Sequence, residues 1–428
     1  MRGLPGSHDA GRPQAPPLDL GGTIRQAEVA HTLAKAWRAL GRVGISRVAN
    51  VTGLDHVGVP TWIAVRPLAR SLTVSQGKGL THELAQASAM MESIELHHAE
   101  RFVPAGHLAT VVAAAHDDRY IDPALLPIAP TVTLDPATAT RWVEGRELRS
   151  NRIRSVPRDC IDLDSATTDD SARLFVSSSN GLASGNSHDE AVLHALCELV
   201  ERDQTSFWLA RRSFDRQFES GRLPLDDIAD PACRWLLDRC AAAGVAVRAW
   251  AIHSTISIPT FMCTVFDAAG QTHFAQSTSG FGCHPFRRIA LARAITEALQ
   301  SRLTCIAGGR DDFGWDTYAN ELRTDTAAFA RWLASVDAEP ATTDWGRAPE
   351  APASHSMSDL VEWVLDALAA AQLPEAVVVD LTQDEIDIPV VHATVPGLES
   401  MFGEPHYTPG PRMQRLLAGR LGPGSAGR

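Results

Sequence analysis

The stretch DEAVLHALCELVERD (189–203) carries the pattern that decides the fold of this chain. Its polar residues recur at helical spacing and form one stripe along a predicted helix: Glu190, His194, Glu198 and Glu201. The residues away from this stripe are mostly apolar, so that surface of the helix must be buried. An earlier stretch, HELAQASAMMESIELHHAE (82–100), places Ser88, Glu92 and Glu95 on one face in the same way. Both helices therefore combine a packed face with an acidic face.

The chain repeats a unit of one helix and two strands three times. Predicted helices at 27–40, 233–243 and 360–371 each lead into two extended apolar stretches. The first stretch lies twelve residues before an apolar-Pro pair in every copy: Arg47-Val48 before Val59-Pro60, Ala246-Val247 before Ile258-Pro259, and Ala376-Val377 before Ile388-Pro389. The short connections predict antiparallel pairing of the two strands within each unit.

A second element, a glycine-containing turn that leads into an alanine-rich helix, also occurs three times. Alignment of Gly77, Ala183 and Gly282 gives two columns of alanine: Ala85, Ala191 and Ala290, then Ala89, Ala195 and Ala294. Small residues four apart on a helix allow another element to approach closely. The acidic positions fall into two further columns: Glu92, Glu198 and Glu297, then Glu95, Glu201 and Gln300.

These elements predict an α+β, α/β-like architecture in which sheets and helices enclose a central site. We expect one domain over residues 23–415, with internal pseudo-repeats at about 27–100, at 175–302 with an overlapping copy at 233–302, and at 360–411. The N-terminal residues are rich in Gly and Pro and lack an apolar signal region. We therefore expect a disordered leader over 1–22 and a flexible tail over 416–428.

The composition argues against several classes of protein. The net charge of -12 argues against nucleic acid as a partner, because a phosphate backbone binds basic surfaces. No run approaches the roughly 18 apolar residues of a membrane span. The seven cysteines form no CxxC pair, so we expect small buried residues rather than a zinc site or disulfides. We therefore interpret the sequence as that of a cytoplasmic protein.

The acidic stripes are candidates for a metal site. A lone glutamate pair on a helix is usually solvated surface, but these pairs are duplicated and lack interleaved lysines. Carboxylates that face inward need cations to neutralise them. Mg²⁺ prefers oxygen ligands and is commonly bound together with substrate phosphates, although Ca²⁺ also accepts oxygen ligands. We therefore predict five metal ligands: Glu92, Glu95, Glu198, Glu201 and Glu297.

Phosphate-binding candidates lie just ahead of these helices and beside them. The loops SQGKG (75–79) and SNGLASGN (179–186) would offer backbone N–H groups near helix N-termini, or could equally be plain turns. Lys78 adds charge, and His194 on the acidic stripe is a candidate for proton transfer. Three arginines at the helix faces could bind phosphate oxygens or pair with glutamates: Arg202, Arg293 and Arg302.

Together these motifs resemble the YcaO family of ATP-dependent enzymes that activate backbone amides in peptides. The resemblance covers about residues 41–411 and lies in SQGKG with SAMMESIE, SNGLASGN with EAVLHALCELVERD, and GFGCHPFRRIALARAITEALQSR. It implies a YcaO-type fold around an ATP and Mg²⁺ site. The residues implied in this site are Ser88, Glu92, Glu95, Glu190, Glu198, Glu201 and Arg202, then Arg293, Glu297, Gln300 and Arg302 from the third motif. We expect Lys78 to join the cofactor-binding residues, and His194, Arg202 and Arg293 to be catalytic.

Four further phrases are similar to the subgroup that works with a TfuA partner: GISRVANVTGLDHVGVP, LTVSQGKG, ATVPGLES and YTPGPR. That similarity implies thioamide formation in a ribosomally made peptide or protein with a sulfur donor, and the resemblance to the YcaO family implies a homodimer. Azoline or amidine formation is the first alternative. The PxPxP tail of many azoline-forming members is replaced here by TPGP (408–411), which argues against azolines. A non-catalytic nucleotide-binding accessory to peptide or ribosomal-protein methylthiolation is the second alternative.

Overall fold

Helices and strands alternate along the part of the chain that the computed structural model describes, which is residues 16–130, 132–166, 173–215, 218–267, 277–315, 318, 326–352, 356–403 and 407–420. The helices are α1 (Val29–Val43), α2 (His82–Arg101), α3 (Val111–Ala115), α4 (His188–Phe214), α5 (Pro231–Ala242), α6 (Arg287–Ala307), α7 (Thr326–Ala338), α8 (Met357–Ala370) and α9 (Pro411–Arg420). The strands are β1 (Leu18–Asp19), β2 (Ile24–Arg25), β3 (Arg47–Asn50), β4 (Thr61–Val65), β5 (Val74–Lys78), β6 (His107–Thr110), β7 (Ala139–Glu147), β8 (Ile153–Pro157), β9 (Leu182–Ser184), β10 (Val245–Ile252), β11 (Thr260–Asp267), β12 (Ser277–Cys283), β13 (Val377–Asp380) and β14 (Val390–Thr394).

Two units of the same construction are each formed by one continuous part of the chain. In the first unit, helix α1 is followed by the antiparallel strands β3, β4 and β5 and then by helix α2. In the second unit, helix α5 is followed by the antiparallel strands β10, β11 and β12 and then by helix α6. The antiparallel pairing predicted for the two strands after each helix is confirmed.

A third unit is assembled from two separate parts of the chain. Helix α8 leads into the antiparallel strands β13 and β14, and β14 pairs with β9, which comes much earlier and leads into helix α4. This sheet has six strands, in the order β6-β7-β13-β14-β9 with β8 beside β7. The second and third strands have the same register in all three units: Trp62 opposite Gly77, Phe261 opposite Gly282, and Val391 opposite Ala183. The positions aligned in the sequence therefore occupy equivalent places in three sheets.

The third strand of a unit packs directly on the helix that follows it. A Cβ atom at Gly77 would lie 2.1 Å from the carbonyl oxygen of Ala85 and 2.1 Å from the nitrogen of Ala89. A Cβ atom at Gly282 would lie 2.0 Å from the carbonyl oxygen of Ala290. Glycine on the strand and alanine on the helix together bring the two backbones into contact.

The prediction of a glycine loop is wrong for 75–79, whereas the stretch 179–186 does begin with a turn at 179–181. The first stretch is almost wholly strand β5, and the second contains strand β9. Their small residues serve the close packing of strand on helix, and their predicted binding of phosphate stays a prediction. In agreement, all six alanines of the two sequence columns have no exposed surface.

The N-terminal leader predicted over 1–22 is partly ordered. Strand β1 pairs with β2, so the prediction is wrong for residues 18–22. The turn between the strands contains Gly21 and Gly22, whose φ angles of 74° and 71° lie in the left-handed region that glycine adopts without strain. Residues 1–15 lie outside the described residues.

The C-terminal tail predicted over 416–428 is also partly ordered, because helix α9 continues to Arg420. The start of this helix is fixed by the buried carboxylate of Glu399, which accepts the N–H of Met413 at 3.0 Å. The prediction of a flexible tail is therefore wrong for 416–420, and residues 421–428 lie outside the described residues.

The cysteines behave as predicted. Six of the seven are buried, and Cys305 is partly exposed. Among the residues that the structure describes, no helix is long and apolar enough to cross a membrane.

Candidate functional site

Helices α2, α4 and α6 surround a cavity of about 410 Å³, a size typical of sites for small ligands. Nearly all residues predicted to form the site line this cavity: Lys78, Ser88, Glu92, Glu95, Glu190, His194, Glu198, Glu201, Arg202, Arg293, Glu297 and Gln300. The acidic faces of the helices therefore point inward to one shared space. The alternative that they are solvated surface is excluded for these residues.

The carboxylates are held by backbone N–H groups at the free edges of strands β5, β9 and β12. Glu92 accepts the N–H of Gln76 at 3.1 Å, and Glu297 accepts the N–H of Phe281 at 3.2 Å. Each of these two contacts joins a helix to the strand of its own unit. An edge strand normally exposes backbone N–H and C=O groups that have no partner strand. Here the glutamates of the site accept hydrogen bonds from those N–H groups.

The second acidic column connects each helix to the next unit in a closed ring. Glu95 on α2 accepts the N–H of Ser184 on β9 at 2.8 Å, and Glu201 on α4 accepts the N–H of Cys283 on β12 at 3.0 Å. Gln300 on α6 completes the ring, because its Nε2 donates to the carbonyl oxygen of Gln76 on β5 at 2.8 Å. A carboxylate could not donate to that carbonyl, which explains glutamine at the third position of this column.

Glu190 differs from the other glutamates in its hydrogen-bond partners, which belong to the N-terminal hairpin and to the residues just ahead of α4. Its Oε2 accepts the N–H of Gln26 at 2.8 Å, and both of its oxygens lie 3.2 Å from Nδ2 of Asn186. Arg25 is also close, with its Nη1 3.7 Å from Glu190 Oε1. Glu190 therefore anchors the N-terminal hairpin at the wall of the cavity.

Burial in the cavity wall raises the pKa values of four glutamates: Glu92, Glu95, Glu198 and Glu201. The pKa rises to about 7 for Glu92 and Glu198 and to about 8 for Glu95, chiefly because burial penalises the charged carboxylate. Neighbouring carboxylates add to the rise for Glu95 and Glu198. Glu297 behaves differently, because the charges of Lys78 and Arg202 outweigh the effect of burial and lower its pKa. The amine of Lys78 lies 2.5 Å from Glu297 Oε2.

The raised pKa values predict that the ligand-free protein loses stability between about pH 6.5 and pH 8.5. Below that range the folded protein retains protons on Glu95 and its neighbours that the unfolded chain, with ordinary pKa values, has already released. Raising the pH removes these protons and forces charge into the buried cavity. We expect the melting temperature of the ligand-free protein to fall over this range.

A Glu95→Gln variant is the control for this pH dependence, since it lacks the glutamate with the higher of these pKa values. Its melting temperature should fall less over the same range. The buried histidines act in the opposite direction, because burial lowers the pKa of His194 and His284 well below the usual value while the unfolded chain releases its histidine protons at about pH 6.5. This contribution is the same in both proteins, so the difference between the wild type and Glu95→Gln cancels it. A melting temperature that falls as much in Glu95→Gln as in the wild type would contradict the proposed electrostatics.

Cationic side chains reach the cavity from helices α4 and α6. Arg202 is close enough to Glu198 to oppose the rise of its pKa. Arg293 Nη2 lies 3.3 Å from His194 Nε2, and since a guanidinium can only donate, the imidazole nitrogen accepts. His194 therefore orients Arg293 as a neutral imidazole. Its predicted role in proton transfer stays a prediction.

Comparison with known families identifies the kind of protein. The family model described as YcaO cyclodehydratase, ATP- and Mg²⁺-binding, matches residues 76–399. The chain belongs to the YcaO family. A protein of Rhizobium leguminosarum bv. trifolii, described as an uncharacterized protein in the tfuA 3' region, is 32% identical over 386 residues, which are 88% of this chain and 88% of that protein. The predicted family, with ATP and Mg²⁺ as its cofactors, is confirmed.

Two solved structures share the YcaO fold with this chain. A heterocyclase in complex with substrate and cofactor aligns with a TM-score of 0.73 and 21% identity over 91% of this chain, which spans 56% of the heterocyclase. YcaO from Methanopyrus kandleri, bound with AMPPCP and Mg²⁺, aligns with a TM-score of 0.68 and 22% identity, over 92% of this chain and 99% of that one. At such identities the similarity shows the fold, and the predicted fold class is confirmed.

Arg302 is the predicted site residue that the YcaO fold places elsewhere. Its Nε lies 3.0 Å from Asp55 Oδ2 and its Nη2 lies 3.4 Å from Asp55 Oδ1. Both side chains are buried, with exposures of 3% and 4%. The prediction that Arg302 binds phosphate is wrong, because this buried carboxylate holds the guanidinium away from the cavity.

Replacing Arg302 with alanine should therefore destabilise the fold without weakening nucleotide binding. The change leaves the carboxylate of Asp55 buried without its cation, which costs roughly 3–5 kcal/mol of the free energy of unfolding. Chemical denaturation measures that loss, and calorimetric titration with a nucleotide analogue measures the unchanged affinity. Arg38→Ala on the exposed surface of α1 is the matched control and should change neither. A variant of normal stability with weakened nucleotide binding would contradict this account and indicate that Arg302 binds the nucleotide.

Two charged residues of the cavity wall were missed from the sequence: Arg25 and Arg310. Arg25 belongs to the hairpin within the N-terminal stretch, and Arg310 lies beyond the end of α6, so no helical pattern marks either residue. Gln76 and Ser184 contribute backbone groups. Both residues lie, with Asn186, in the stretches 75–79 and 179–186 that the sequence indicated as sources of backbone N–H groups.

Proposed function

We propose that this chain is an ATP- and Mg²⁺-dependent enzyme that activates a backbone amide of a peptide or protein and exchanges its oxygen for sulfur, together with a TfuA-like partner. The observation that carries the proposal is the cavity between α2, α4 and α6, where glutamates and arginines of a YcaO fold face one another. Such a cavity suits a polyphosphate neutralised by cations.

The donors in the cavity fit Mg²⁺ bound jointly with phosphate. Glu92, Glu95 and Glu201 each give one carboxylate oxygen to a backbone N–H, and a carboxylate has a second oxygen to offer. Within the described residues no three side chains form a ready-made metal cluster. Mg²⁺ does not require one, because it commonly takes one or two carboxylates together with waters and substrate phosphates. These three glutamates with Glu198 would hold the ion, which neutralises phosphate charge when bound.

The cations of the chain would bind the phosphate oxygens. Arg202 on α4 and Arg293 on α6 both line the cavity, and His194 accepts a hydrogen bond from the guanidinium of Arg293. Phosphoryl transfer is accelerated mainly by positioning and by electrostatic stabilisation of the equatorial oxygens, which arginine supplies well. Lys78, paired with Glu297, adds a further positive charge at the same wall.

The chemistry overcomes the poor reactivity of an amide. A nucleophile adds to the carbonyl carbon, and the former carbonyl oxygen takes the γ-phosphoryl group of ATP. That oxygen then leaves as phosphate instead of as hydroxide, which is a much poorer leaving group. With external sulfide as the nucleophile, the product is a thioamide.

Two observations support the hypothesis that the product is a thioamide. The chain carries the sequence phrases of the TfuA-associated subgroup, and its relative from Rhizobium leguminosarum bv. trifolii is described by its place in the tfuA 3' region. The structural similarity to a heterocyclase supports the second candidate, azoline formation, in which a neighbouring side chain of the peptide is the nucleophile. Both candidates use the same activation of the amide oxygen.

Reconstitution tests the proposal. The protein is incubated with ATP, Mg²⁺, sulfide, a TfuA-like partner and the cognate peptide, and the peptide is analysed by mass spectrometry. We expect a mass change that corresponds to the exchange of one oxygen for one sulfur, dependent on both ATP and sulfide. Loss of one water would establish azoline formation instead. A peptide that stays unmodified while ATP is bound would favour the non-catalytic accessory.

A further inference from the structure

A small side cavity of about 20 Å³ adjoins the main cavity at helices α4 and α6. The two cavities share part of their walls: Thr23, Arg25, Glu190, His194 and Arg293. The far wall of the side cavity contains sulfur-bearing side chains, namely Cys197, Cys283 and Met357. A volume of this size holds one molecule about as large as water.

The side cavity has one net positive charge. Arg25 and Arg293 supply two positive charges, and Glu190 supplies one negative charge. The two histidines of the wall add none, because burial, then Arg293, then Arg25 lower the pKa of His194 and His284 well below the usual range. Such a wall is complementary to a single monovalent anion.

Arg293 retains a donor for that anion. One of its guanidinium nitrogens, Nη2, donates to His194, whereas its Nε is buried without a hydrogen-bond partner in the described part of the chain. A buried N–H without an acceptor costs free energy, and hydrogen bonds from an arginine to an anion are among the strongest in proteins. An anion bound beside Arg293 would recover that cost.

The rest of the wall suits a soft anion better than a hard one. Thiols and thioethers are polarisable, and Ile24, Leu193 and Ile289 make the remaining wall apolar. A strongly hydrated anion such as hydroxide would lose its water shell there with little return. A guanidinium is itself weakly hydrated, so it pairs well with a polarisable, weakly hydrated anion that has a single non-hydrogen atom.

We propose that this side cavity binds the sulfur nucleophile as hydrosulfide, HS⁻, next to the site that activates the amide. The inference rests on the proposed thioamide-forming function. In the balanced reaction, hydrosulfide, the amide and ATP give the thioamide, ADP and inorganic phosphate. A C–S bond forms, the amide C–O bond breaks, and its oxygen leaves on the transferred phosphorus. No oxidant or reductant takes part.

Filling the side cavity tests the inference kinetically. Cys197→Met adds volume to the wall, so the KM for sulfide should rise about tenfold or more while the KM for ATP stays nearly unchanged. Cys240→Met is the matched control, because Cys240 is equally buried but lies on α5 in a different part of the core. Cys197→Val adds less volume and provides the same test if the larger residue prevents folding.

Bromide provides a second test that needs no turnover. It resembles hydrosulfide in charge, size and softness, and its anomalous scattering locates it in crystals of the full chain soaked in sodium bromide. We expect bromide in the side cavity of the wild-type protein beside Arg293 and its absence in Cys197→Met.

The outcomes separate this inference from the proposed function. A wild-type enzyme that incorporates no sulfur contradicts the proposed function, and the bromide experiment still decides whether the side cavity binds an anion. A wild-type enzyme that forms thioamide, combined with an unchanged KM for sulfide in Cys197→Met, overturns the inference. Bromide that is absent from the wild-type side cavity overturns it as well.

Discussion

Replacing Gly77 with alanine is expected to prevent the chain from folding. Gly77 lies within β5, and its new Cβ would lie 2.1 Å from two backbone atoms of α2, the carbonyl oxygen of Ala85 and the nitrogen of Ala89. Backbone atoms of a buried helix cannot move aside as a flexible side chain could. The strand would have to leave the helix, and Glu92 would lose the N–H of Gln76 that holds it. Overpacking on this scale belongs to the most destabilising class of substitution.

The soluble yield and thermal unfolding of Gly77→Ala test this prediction. Gly41→Ala is the matched control, because Gly41 lies inside helix α1 and a Cβ there meets nothing within 4 Å. Alanine favours the helix over glycine by roughly 1 kcal/mol, so the control should be as stable as the wild type or more stable. A Gly77→Ala protein with the wild-type melting temperature would contradict the close packing of β5 on α2.

Replacing Glu198 with glutamine is expected to reduce Mg²⁺-dependent ATP hydrolysis by a factor of roughly 10²–10³, the usual effect of removing one preorganised electrostatic contact from an active site. The substitution keeps the size of the side chain and removes a carboxylate that faces the cavity beside Arg202. Bound metal would then lose a charged oxygen ligand. The stability of the protein should not fall, because burial penalises the charge of Glu198 and the variant lacks that charge.

Steady-state release of phosphate measures the effect of Glu198→Gln. Glu362→Gln on the exposed face of α8 is the matched control and should hydrolyse ATP like the wild type. Hydrolysis that disappears in Glu198→Gln excludes a purely nucleotide-binding accessory. Hydrolysis at the wild-type rate would place the catalytic metal elsewhere in the cavity.

Much of the site could be predicted because it lies on local patterns. The spacing of Glu92 and Glu95 on one helix, and of Glu198 and Glu201 on another, fixes which side chains share a face. The two columns of alanine identify the other face of each helix, which packs against a strand. Alignment of the three copies then predicts that Glu297 and Gln300 line the same cavity. The sequence did not show that Gln300 donates a hydrogen bond to a carbonyl oxygen of β5.

The remaining features depend on contacts between distant parts of the chain. Nothing near β14 in the sequence shows that its neighbour is β9, which the chain forms long before. Arg302 occupies a helical position that local spacing assigns to the site, yet Asp55, far away in sequence, binds it in the core. The N-terminal hairpin looks disordered by composition and is ordered by its contact with Glu190.

The fate of the amide oxygen tests the central claim most directly. The target carbonyl of the peptide is labelled with a heavy oxygen isotope, and the labelled peptide reacts with the enzyme, its TfuA-like partner, ATP, Mg²⁺ and sulfide. Mass spectrometry then follows the label. Activation of the amide by ATP predicts that the label appears in inorganic phosphate while the peptide gains sulfur. Label that stays in the peptide, or that leaves as water while phosphate remains unlabelled, would contradict it.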